Sequence, residues 1–341
     1  MADAGGRTPF LSASGLARYF DVSPPLLNRL IERRGRLDLK AVDGVDFQIR
    51  RGETFSLVGE SGCGKSTVAR LVVGLYRPTR GTIEFDGTDL AQMKSRLDQK
   101  PFRRRIQMIF QDPYASLNPR WRVRDIIAEP IRTHGLRSGA AAIRARVEEL
   151  LAQVKLAAAD GDKYPHEFSG GQRQRISIAR ALAAEPEFLV CDEPTSALDV
   201  SVQAQILNLM KELQRRLGLT YLFISHNLAV VYFISDRVGV MYLGRLVETA
   251  DAATLFAAPR HPYTRMLLDT IPDLAMSGRQ RQPVGGEVPN PIDPPEGCAF
   301  HPRCPFANDR CRRERPELRA DAATLVACHA VEEGRIAPGM R

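Results

Sequence analysis

Apolar and polar positions follow two patterns along the chain, and together they predict alternating strands and helices. Short apolar runs at residues 54–58, 188–192, 221–225 and 238–242 are typical of buried strands. Amphipathic stretches with helical spacing separate these runs, as the βα units of a largely parallel sheet require. Residues 41–49 instead alternate apolar and polar side chains, which favours an antiparallel strand. The pattern predicts an α/β fold.

The middle of the chain differs, because residues 123–156 have a helical pattern throughout. Apolar side chains recur at i, i+4, i+7, i+8 and i+11 from Ile143 and form one stripe. We therefore predict a helical subdomain at about residues 113–184 within a domain that covers residues 12–257. Beyond residue 257 the composition shifts to proline, arginine and cysteine, so residues 258–341 are expected to form a second, small, loop-rich region.

Composition and charge narrow the class of protein. Hydrophobic residues make up 44% of the chain and charged residues 26%, as in globular proteins. No apolar run approaches the roughly 18 residues that a membrane span needs, and the first residues do not resemble a secretion signal. A net charge of +8 would suit nucleic acid, but the arginine clusters lack the interleaved aromatic residues that stack on bases. We expect a cytoplasmic protein that does not bind nucleic acid and that needs a partner for any membrane role.

A glycine-rich stretch between the strand at residues 54–58 and a following helix has the pattern of a phosphate-binding loop. Residues 59–67 match G-x-x-x-x-G-K-[ST] at every fixed position. The glycines let backbone N–H groups turn toward a phosphate at the helix N-terminus. Lys65 would reach the β- and γ-phosphates, and the Ser66 hydroxyl would bind Mg²⁺. The predicted nucleotide-binding residues of this loop are Gly59, Ser61, Gly62, Cys63, Gly64, Lys65, Ser66 and Thr67.

Two adjacent carboxylates, Asp192 and Glu193, lie at the C-terminal end of the apolar strand predicted at residues 188–192. In an enzyme with a P-loop, Asp192 would hold Mg²⁺, often through water, and Glu193 would polarise the attacking water.

A second helix start also has features of a phosphate site. A Ser-Gly-Gly sequence that opens a helix presents unpaired N–H groups and a positive dipole to an anion. A serine N-cap followed by flexible glycines explains the same residues without a ligand. The residues concerned are Ser169, Gly170, Gly171 and Gln172.

Taken together, these motifs resemble the nucleotide-binding subunit of an ATP-binding cassette (ABC) transporter. Residues 59–67 are similar to the Walker A motif, residues 169–172 to the signature motif and residues 188–193 to the Walker B motif. The resemblance implies a P-loop ABC ATPase with a RecA-like core, an antiparallel β-subdomain and a helical signature subdomain. It also implies functional residues outside the loop, namely Glu193 as general base, Gln111 as a Mg²⁺ sensor, His226 as a γ-phosphate contact and Asp199 in the D-loop. Mg²⁺ would then be held by Ser66, Gln111 and Asp192.

The resemblance further implies an aromatic side chain that stacks on adenine, before the first long strand. Phe20 matches best and Tyr19 is the alternative, because an insert at residues 24–39 disturbs the alignment. Phe168 stands where leucine is usual before Ser-Gly-Gly.

Partners follow from the same resemblance. Two such subunits meet head to tail, with ATP between the P-loop of one and the signature motif of the other. The second subunit is expected to be a paralogue. Two membrane-spanning permease subunits would dock around residues 111–134, and an extracytoplasmic solute-binding protein would act indirectly. The chain would be peripheral to the bacterial inner membrane, on its cytoplasmic side.

The C-terminal region narrows the subgroup. The sequence His-Pro-Tyr-Thr at residues 261–264 and residues 297–305 are similar to an extension on ATPases of dipeptide, oligopeptide and nickel importers. The resemblance implies import of di- or oligopeptides, with nickel, glutathione or an opine-like solute as alternatives. A cassette ATPase that acts on nucleic acid is disfavoured, because no coiled coil or zinc module interrupts residues 59–169.

Four of the six cysteines lie in the last 44 residues, with the spacing C-x5-C-x6-C-x16-C. Four thiolates in a loop-rich segment can enclose Zn²⁺ or an iron–sulfur cluster. The close C-x2-C pairs of zinc ribbons are missing, and the family resemblance favours a [4Fe–4S] cluster; zinc, free thiols and an electron-transfer site remain alternatives. The cysteines concerned are Cys298, Cys304, Cys311 and Cys328.

Overall fold

The computed structural model describes residues 8–25, 35, 37–90, 93, 96–270 and 286–336. Most of the insert at residues 24–39 lies outside the described residues. In chain order, the described strands are β1 (Leu11–Asp21), β2 (Asp38–Ile49), β3 (Thr54–Val58), β4 (Arg80–Phe85), β5 (Thr88–Asp89), β6 (Ile106–Ile109), β7 (Phe188–Asp192), β8 (Thr220–Ile224), β9 (Arg237–Tyr242), β10 (Arg245–Asp251), β11 (Arg319–Asp321) and β12 (Thr324–Val326).

Helices alternate with these strands or connect them. The described α-helices are α1 (Lys65–Val72), α2 (Arg96–Arg105), α3 (Pro113–Ser116), α4 (Val123–Thr133), α5 (Ala140–Gln153), α6 (Gly170–Leu182), α7 (Val200–Leu217), α8 (Leu228–Ile234), α9 (Ala252–Ala257), α10 (Pro262–Asp269), α11 (Asp309–Arg313) and α12 (His329–Glu332). Short 3₁₀ turns lie at Ala158–Asp162, Pro165–Glu167 and His301–Arg303.

The larger sheet has a parallel centre. Its strand order is β11-β12-β10-β9-β3-β8-β7-β6, and β9, β3, β8, β7 and β6 pair in parallel. Every residue of β3, β7 and β8 is buried, which explains their continuous apolar runs, since parallel strands are covered on both faces. The predicted α/β fold with a parallel core is therefore confirmed.

The smaller sheet is antiparallel, with the strand order β2-β1-β4-β5. Side chains of β1, β2 and β4 pack with β3 and α1 in one buried cluster that includes Leu11, Ile49 and Phe55. This cluster joins the smaller sheet to the strand that leads into the P-loop.

The helical region has a core that is continuous with the larger sheet. The apolar stripe predicted from Ile143 is real: Val147, Leu150, Leu151 and Val154 are buried, and Ile143 is packed against the same cluster. This cluster also contains residues of α4, α6 and β7, so the helices are anchored to the ATPase core.

Part of the C-terminal region extends the larger sheet, which the sequence pattern did not indicate. β12 pairs antiparallel with β10, in register at Glu248 and Val326, and β11 adds an edge strand. Phe300 is 2% exposed and lies 5.3 Å from Tyr242 and 5.5 Å from Tyr263 between ring centroids. The described part of this region is therefore packed into the domain. No helix in the described ranges is long and apolar enough to cross a membrane.

Replacing Phe300 by alanine tests this packing. The lost ring contacts and the resulting cavity should lower the free energy of unfolding by about 3–5 kcal/mol, measured by urea denaturation. Val288→Ala, at a site that is 43% exposed, is the control and should change stability by at most about 0.5 kcal/mol. Equal midpoints for the two variants would contradict the packing.

Candidate active site

The P-loop joins the carboxyl end of β3 to the N-terminus of α1, and its glycines are required by close backbone contacts. Gly59 has φ 152° and Gly64 has φ 105°. A Cβ atom at Gly59 would lie 2.2 Å from the carbonyl oxygen of Met241, and one at Gly64 would lie 2.1 Å from that of Ala41. Any larger residue would displace backbone, so these two positions fix the shape of the loop.

Lys65 is the first residue of α1 and lies over the loop. Its Nζ donates hydrogen bonds to the carbonyl oxygens of Gly59, at 2.7 Å, and Glu60, at 3.0 Å. The residue is only 5% exposed. The P-loop cation is thus held beside the backbone groups that would surround a phosphate.

Two predicted Mg²⁺ ligands are in direct contact. The Ser66 hydroxyl donates a hydrogen bond to Oδ1 of Asp192 at 2.9 Å, which joins the start of α1 to the carboxyl end of β7. Burial raises the pKa of the Asp192 carboxyl, while Ser66 and the cations Arg70 and Lys65 oppose the rise. Hydroxyl and carboxylate oxygens are hard ligands that suit Mg²⁺, and a divalent cation would offset the cost of burying the charge.

The three predicted catalytic residues come together at one edge of the sheet. Gln111, Glu193 and His226 follow β6, β7 and β8, and parallel strands bring their carboxyl ends to the same side. Gln111 Nε2 donates to Glu193 Oε2 at 3.2 Å, and His226 Nδ1 lies 3.1 Å from the same oxygen. Glu193 has φ 48°, a left-handed conformation that is costly for a non-glycine residue and clusters at functional sites.

The residues that resemble the signature motif lie at the start of α6, and Ser169 is the N-cap of this helix. The Ser169 hydroxyl accepts from the Gln172 N–H at 3.4 Å, and the Gln172 side chain accepts from the Ser169 N–H at 3.0 Å. This reciprocal pair is a capping box. Ser169, Gly170 and Gln172 are exposed, whereas Gly171 is buried. Asp199, the D-loop residue, is exposed just before α7.

Tyr19 and Phe20 have different surroundings, because neighbouring residues of a strand face opposite sides. The Tyr19 hydroxyl donates to Asp43 Oδ1 at 2.5 Å and accepts from Arg80. Phe20 is half-buried, with the guanidinium of Arg18 4.7 Å from its ring centroid and the ring of Tyr76 5.4 Å away. The sequence did not identify Tyr76 as a candidate site residue. The only signal was that an aromatic residue follows the P-loop helix.

The four C-terminal cysteines influence one another electrostatically. Burial, together with the charges of the other three cysteines, raises the pKa of the Cys298 thiol to about 12. Burial likewise raises the pKa of Cys304 to about 11. The four thiols are free and gather in one region, but across the described ranges no group of three or more His, Cys, Asp or Glu side chains is arranged to hold a metal ion.

Two C-terminal residues that the sequence did not assign also contact the P-loop. Tyr263 accepts a hydrogen bond from the Glu60 N–H, and Arg303 pairs with the Glu60 carboxylate. Both lie in the stretches that resemble the importer extension, but the spacing of residues along the sequence does not predict contacts between positions so far apart in the chain.

Two family models match the chain. "ABC transporter" matches residues 42–196, and "Oligopeptide/dipeptide transporter, C-terminal region" matches residues 247–311. The first covers Gln111, Asp192 and Glu193, and the second covers Arg303.

Similar curated proteins span nearly the whole chain. The chain is 52% identical over 327 residues to the putative oligopeptide transport ATP-binding protein YkfD of Bacillus subtilis (strain 168), covering 95% of this chain and 96% of that protein. It is 49% identical over 333 residues to the oligopeptide transport ATP-binding protein AppF of the same organism, covering 96% and 98%. A putative peptide import ATP-binding protein of Brucella abortus (strain 2308) is 54% identical over 324 residues, covering 95% of each chain.

Solved structures agree with the fold. The dimeric, post-hydrolysis ATP-binding cassette MJ0796, bound to ADP and Pi, is 26% identical, has a TM-score of 0.62, and covers 71% of this chain and 98% of that one. The arrangement of the P-loop, the paired carboxylates and the histidine, together with these similarities, establishes what the chain is. It belongs to the ABC transporter ATPases, as a member of the group that carries the oligopeptide/dipeptide transporter C-terminal region.

Proposed function

We propose that this chain hydrolyses ATP to energise import of di- or oligopeptides across the bacterial inner membrane. The observation that carries the proposal is the convergence of Gln111, Glu193 and His226 at the sheet edge where Ser66 meets Asp192. Relatives named for oligopeptide transport and peptide import support the substrate class. The chain acts peripherally, on the cytoplasmic side.

In this proposal each residue of the site has a defined part in binding or hydrolysing ATP. Ser66, Asp192 and Gln111 hold Mg²⁺, which when bound neutralises charge on the β- and γ-phosphates. Lys65 leaves the carbonyls of its own loop for the same phosphates. Glu193 accepts a proton from the attacking water, and Gln111 and His226 hold its carboxylate from two sides. His226, whose side chain is 59% exposed, also reaches the γ-phosphate.

A second ATPase subunit completes the nucleotide site in this proposal. Ser169, Gly170 and Gln172 are exposed at the N-terminus of α6, where the dipole favours an anion. Asp199 is exposed beside Val200, an apolar residue that is 83% exposed. Such a surface suits contact with a partner chain, and we propose a paralogue in that position.

The membrane-spanning subunits are proposed to dock on the region after β6. Three large aromatic side chains are exposed there: Phe110 at 36%, Tyr114 at 55% and Trp121 at 44%. Exposed aromatic residues that cluster in one segment are typical of an interaction surface. An extracytoplasmic solute-binding protein would select the peptide and deliver it to those subunits.

Glu193→Gln tests the general base. The amide keeps the size of the side chain but cannot accept the proton, so steady-state ATP hydrolysis should fall by about 10²–10⁴-fold while MgATP still binds. Glu148→Gln removes a carboxylate from a surface pair with Arg144 and is the matched control, with unchanged activity expected. Near-normal ATPase activity of Glu193→Gln would refute the assignment.

Phe20→Ala tests the adenine contact. Loss of base stacking should weaken MgATP binding about tenfold or more, measured by isothermal titration calorimetry. Phe20→Tyr keeps a ring in the same place and should bind MgATP as the wild type does. Unchanged MgATP affinity in Phe20→Ala would argue against Phe20 as the adenine contact and favour Tyr19.

We also propose that Cys298, Cys304, Cys311 and Cys328 bind a [4Fe–4S] cluster. The proposal is supported by the position of the four thiols, which interact electrostatically with one another and lie in buried, apolar surroundings. The raised pKa values of Cys298, Cys304 and Cys328 mean that these three thiols are protonated at neutral pH, so a cluster would have to displace their protons, as soft thiolate ligation does.

Iron and zinc analysis and the visible absorption spectrum of full-length protein purified without oxygen test this proposal. We expect a broad visible band and about four irons per chain. Cys311→Ser should lose both, while Cys191→Ala, which removes a buried thiol of β7, should keep them. One zinc per chain, or a colourless and metal-free protein, would overturn the cluster and leave the ATPase unaffected.

A further inference from the structure

The second residue of the P-loop is held from two directions by the C-terminal region. The Glu60 N–H donates a hydrogen bond to the Tyr263 hydroxyl oxygen at 2.9 Å. Two nitrogens of Arg303 donate to the two carboxylate oxygens of Glu60, at 2.8 and 3.0 Å. The backbone and the side chain of Glu60 are therefore both held by residues that lie 203 and 243 positions further along the chain.

The contact with Arg303 is built to be rigid. A guanidinium that binds both oxygens of one carboxylate has a fixed orientation, which a single ammonium cannot provide. The Arg303 side chain is 3% exposed, and its guanidinium carbon lies 5.9 Å from the ring centroids of both Tyr242 and Phe300. Removal of Glu60 would leave this cation buried without its carboxylate, which is costly.

One peptide unit connects Tyr263 to the P-loop lysine. The peptide between Gly59 and Glu60 is planar, so its N–H and C=O groups are oriented together. Its N–H binds Tyr263, and its C=O accepts from Lys65 Nζ at 2.7 Å. The next carbonyl, that of Glu60, accepts from the same Nζ at 3.0 Å. The orientation of Glu60 therefore determines where the ammonium of Lys65 lies.

Arg303, which contacts Glu60, belongs to a turn that lies between two of the cysteines. Arg303 is the last residue of the 3₁₀ turn His301–Arg303, with Cys298 before it and Cys304 after it. The turn is closed by backbone bonds from His301 N to Cys298 O, at 2.9 Å, and from Cys304 N to His301 O, at 3.3 Å. A shift of either cysteine would therefore move Arg303.

We propose that Arg303 and Tyr263 are positioning residues of the ATP site. They fix the P-loop at Glu60 and so hold Lys65 where it can reach the phosphates. Through Arg303, the conformation of the cysteine-bearing turn sets the affinity of the chain for nucleotide. The inference rests on the proposed role of the P-loop in binding ATP, and goes beyond it by making the C-terminal region a part of that site.

A double-mutant cycle on the full-length chain tests the inference, with the dissociation constant for MgATP as readout. Glu60→Gln and Arg303→Gln should each weaken binding about tenfold, the factor expected for one charge-assisted hydrogen bond. The double variant should bind no more weakly than the worse single variant, because the two residues act through one contact. Arg303→Lys should recover part of the loss.

A matched control pair lies in the same region. Arg260 and Asp321 form a partly buried ion pair at 2.5 Å that joins the segment before α10 to β11. Arg260→Gln removes this pair and should leave the MgATP dissociation constant within about twofold of the wild type, even where the unfolding temperature falls.

Tyr263→Phe keeps the test decisive where Arg303→Gln does not fold. It removes only the hydroxyl that accepts from Glu60 and retains the buried ring, so the fold is kept; MgATP binding should weaken about three- to tenfold. Unchanged dissociation constants in the variants, or losses that add in the double variant, would overturn the positioning role. A wild-type chain that does not bind MgATP would instead refute the proposed function.

Discussion

Parallel pairing of neighbouring strands is the constraint on which the site depends. Because β3, β8, β7 and β6 run in the same direction, their carboxyl ends deliver the P-loop, His226, Glu193 and Gln111 to one edge of the sheet. The strands themselves are apolar and buried, so they provide position without taking part in the chemistry. The helical region and the antiparallel sheet then cover opposite faces of this framework through continuous apolar clusters.

The described part of the C-terminal region packs against the ATPase core and contacts the P-loop. It adds two strands to the edge of the ATPase sheet, packs an aromatic cluster against β9, and reaches the P-loop through Tyr263 and Arg303. A nucleotide site built from the cassette motifs alone would omit these contacts. The described part of the region is therefore structurally continuous with the ATPase core, and the turn that carries Arg303 between Cys298 and Cys304 contacts the P-loop at Glu60.

The sequence alone was sufficient to predict those parts of the candidate site that depend on the spacing of neighbouring residues. Three of the motifs are short, contiguous patterns: the P-loop, the paired carboxylates at the end of β7 and the capping residues of α6. The structure has all three on the predicted elements. Contacts between distant residues were not predictable. Nothing in the spacing of Glu60 and Arg303 indicates their ion pair. Nothing in the sequence indicates that the Tyr19 hydroxyl is bound to Asp43 while Phe20 packs beside Tyr76.

A structure of the full-length Glu193→Gln variant with MgATP would test the proposed nucleotide site most directly. We expect the β- and γ-phosphates within the loop of residues 59–67, Lys65 moved from the carbonyls of Gly59 and Glu60 onto the phosphates, and Mg²⁺ bound by Ser66. Glu60 should keep its contacts with the C-terminal region. Phosphates bound elsewhere, or a P-loop that accepts them only after Glu60 separates from Arg303, would contradict it.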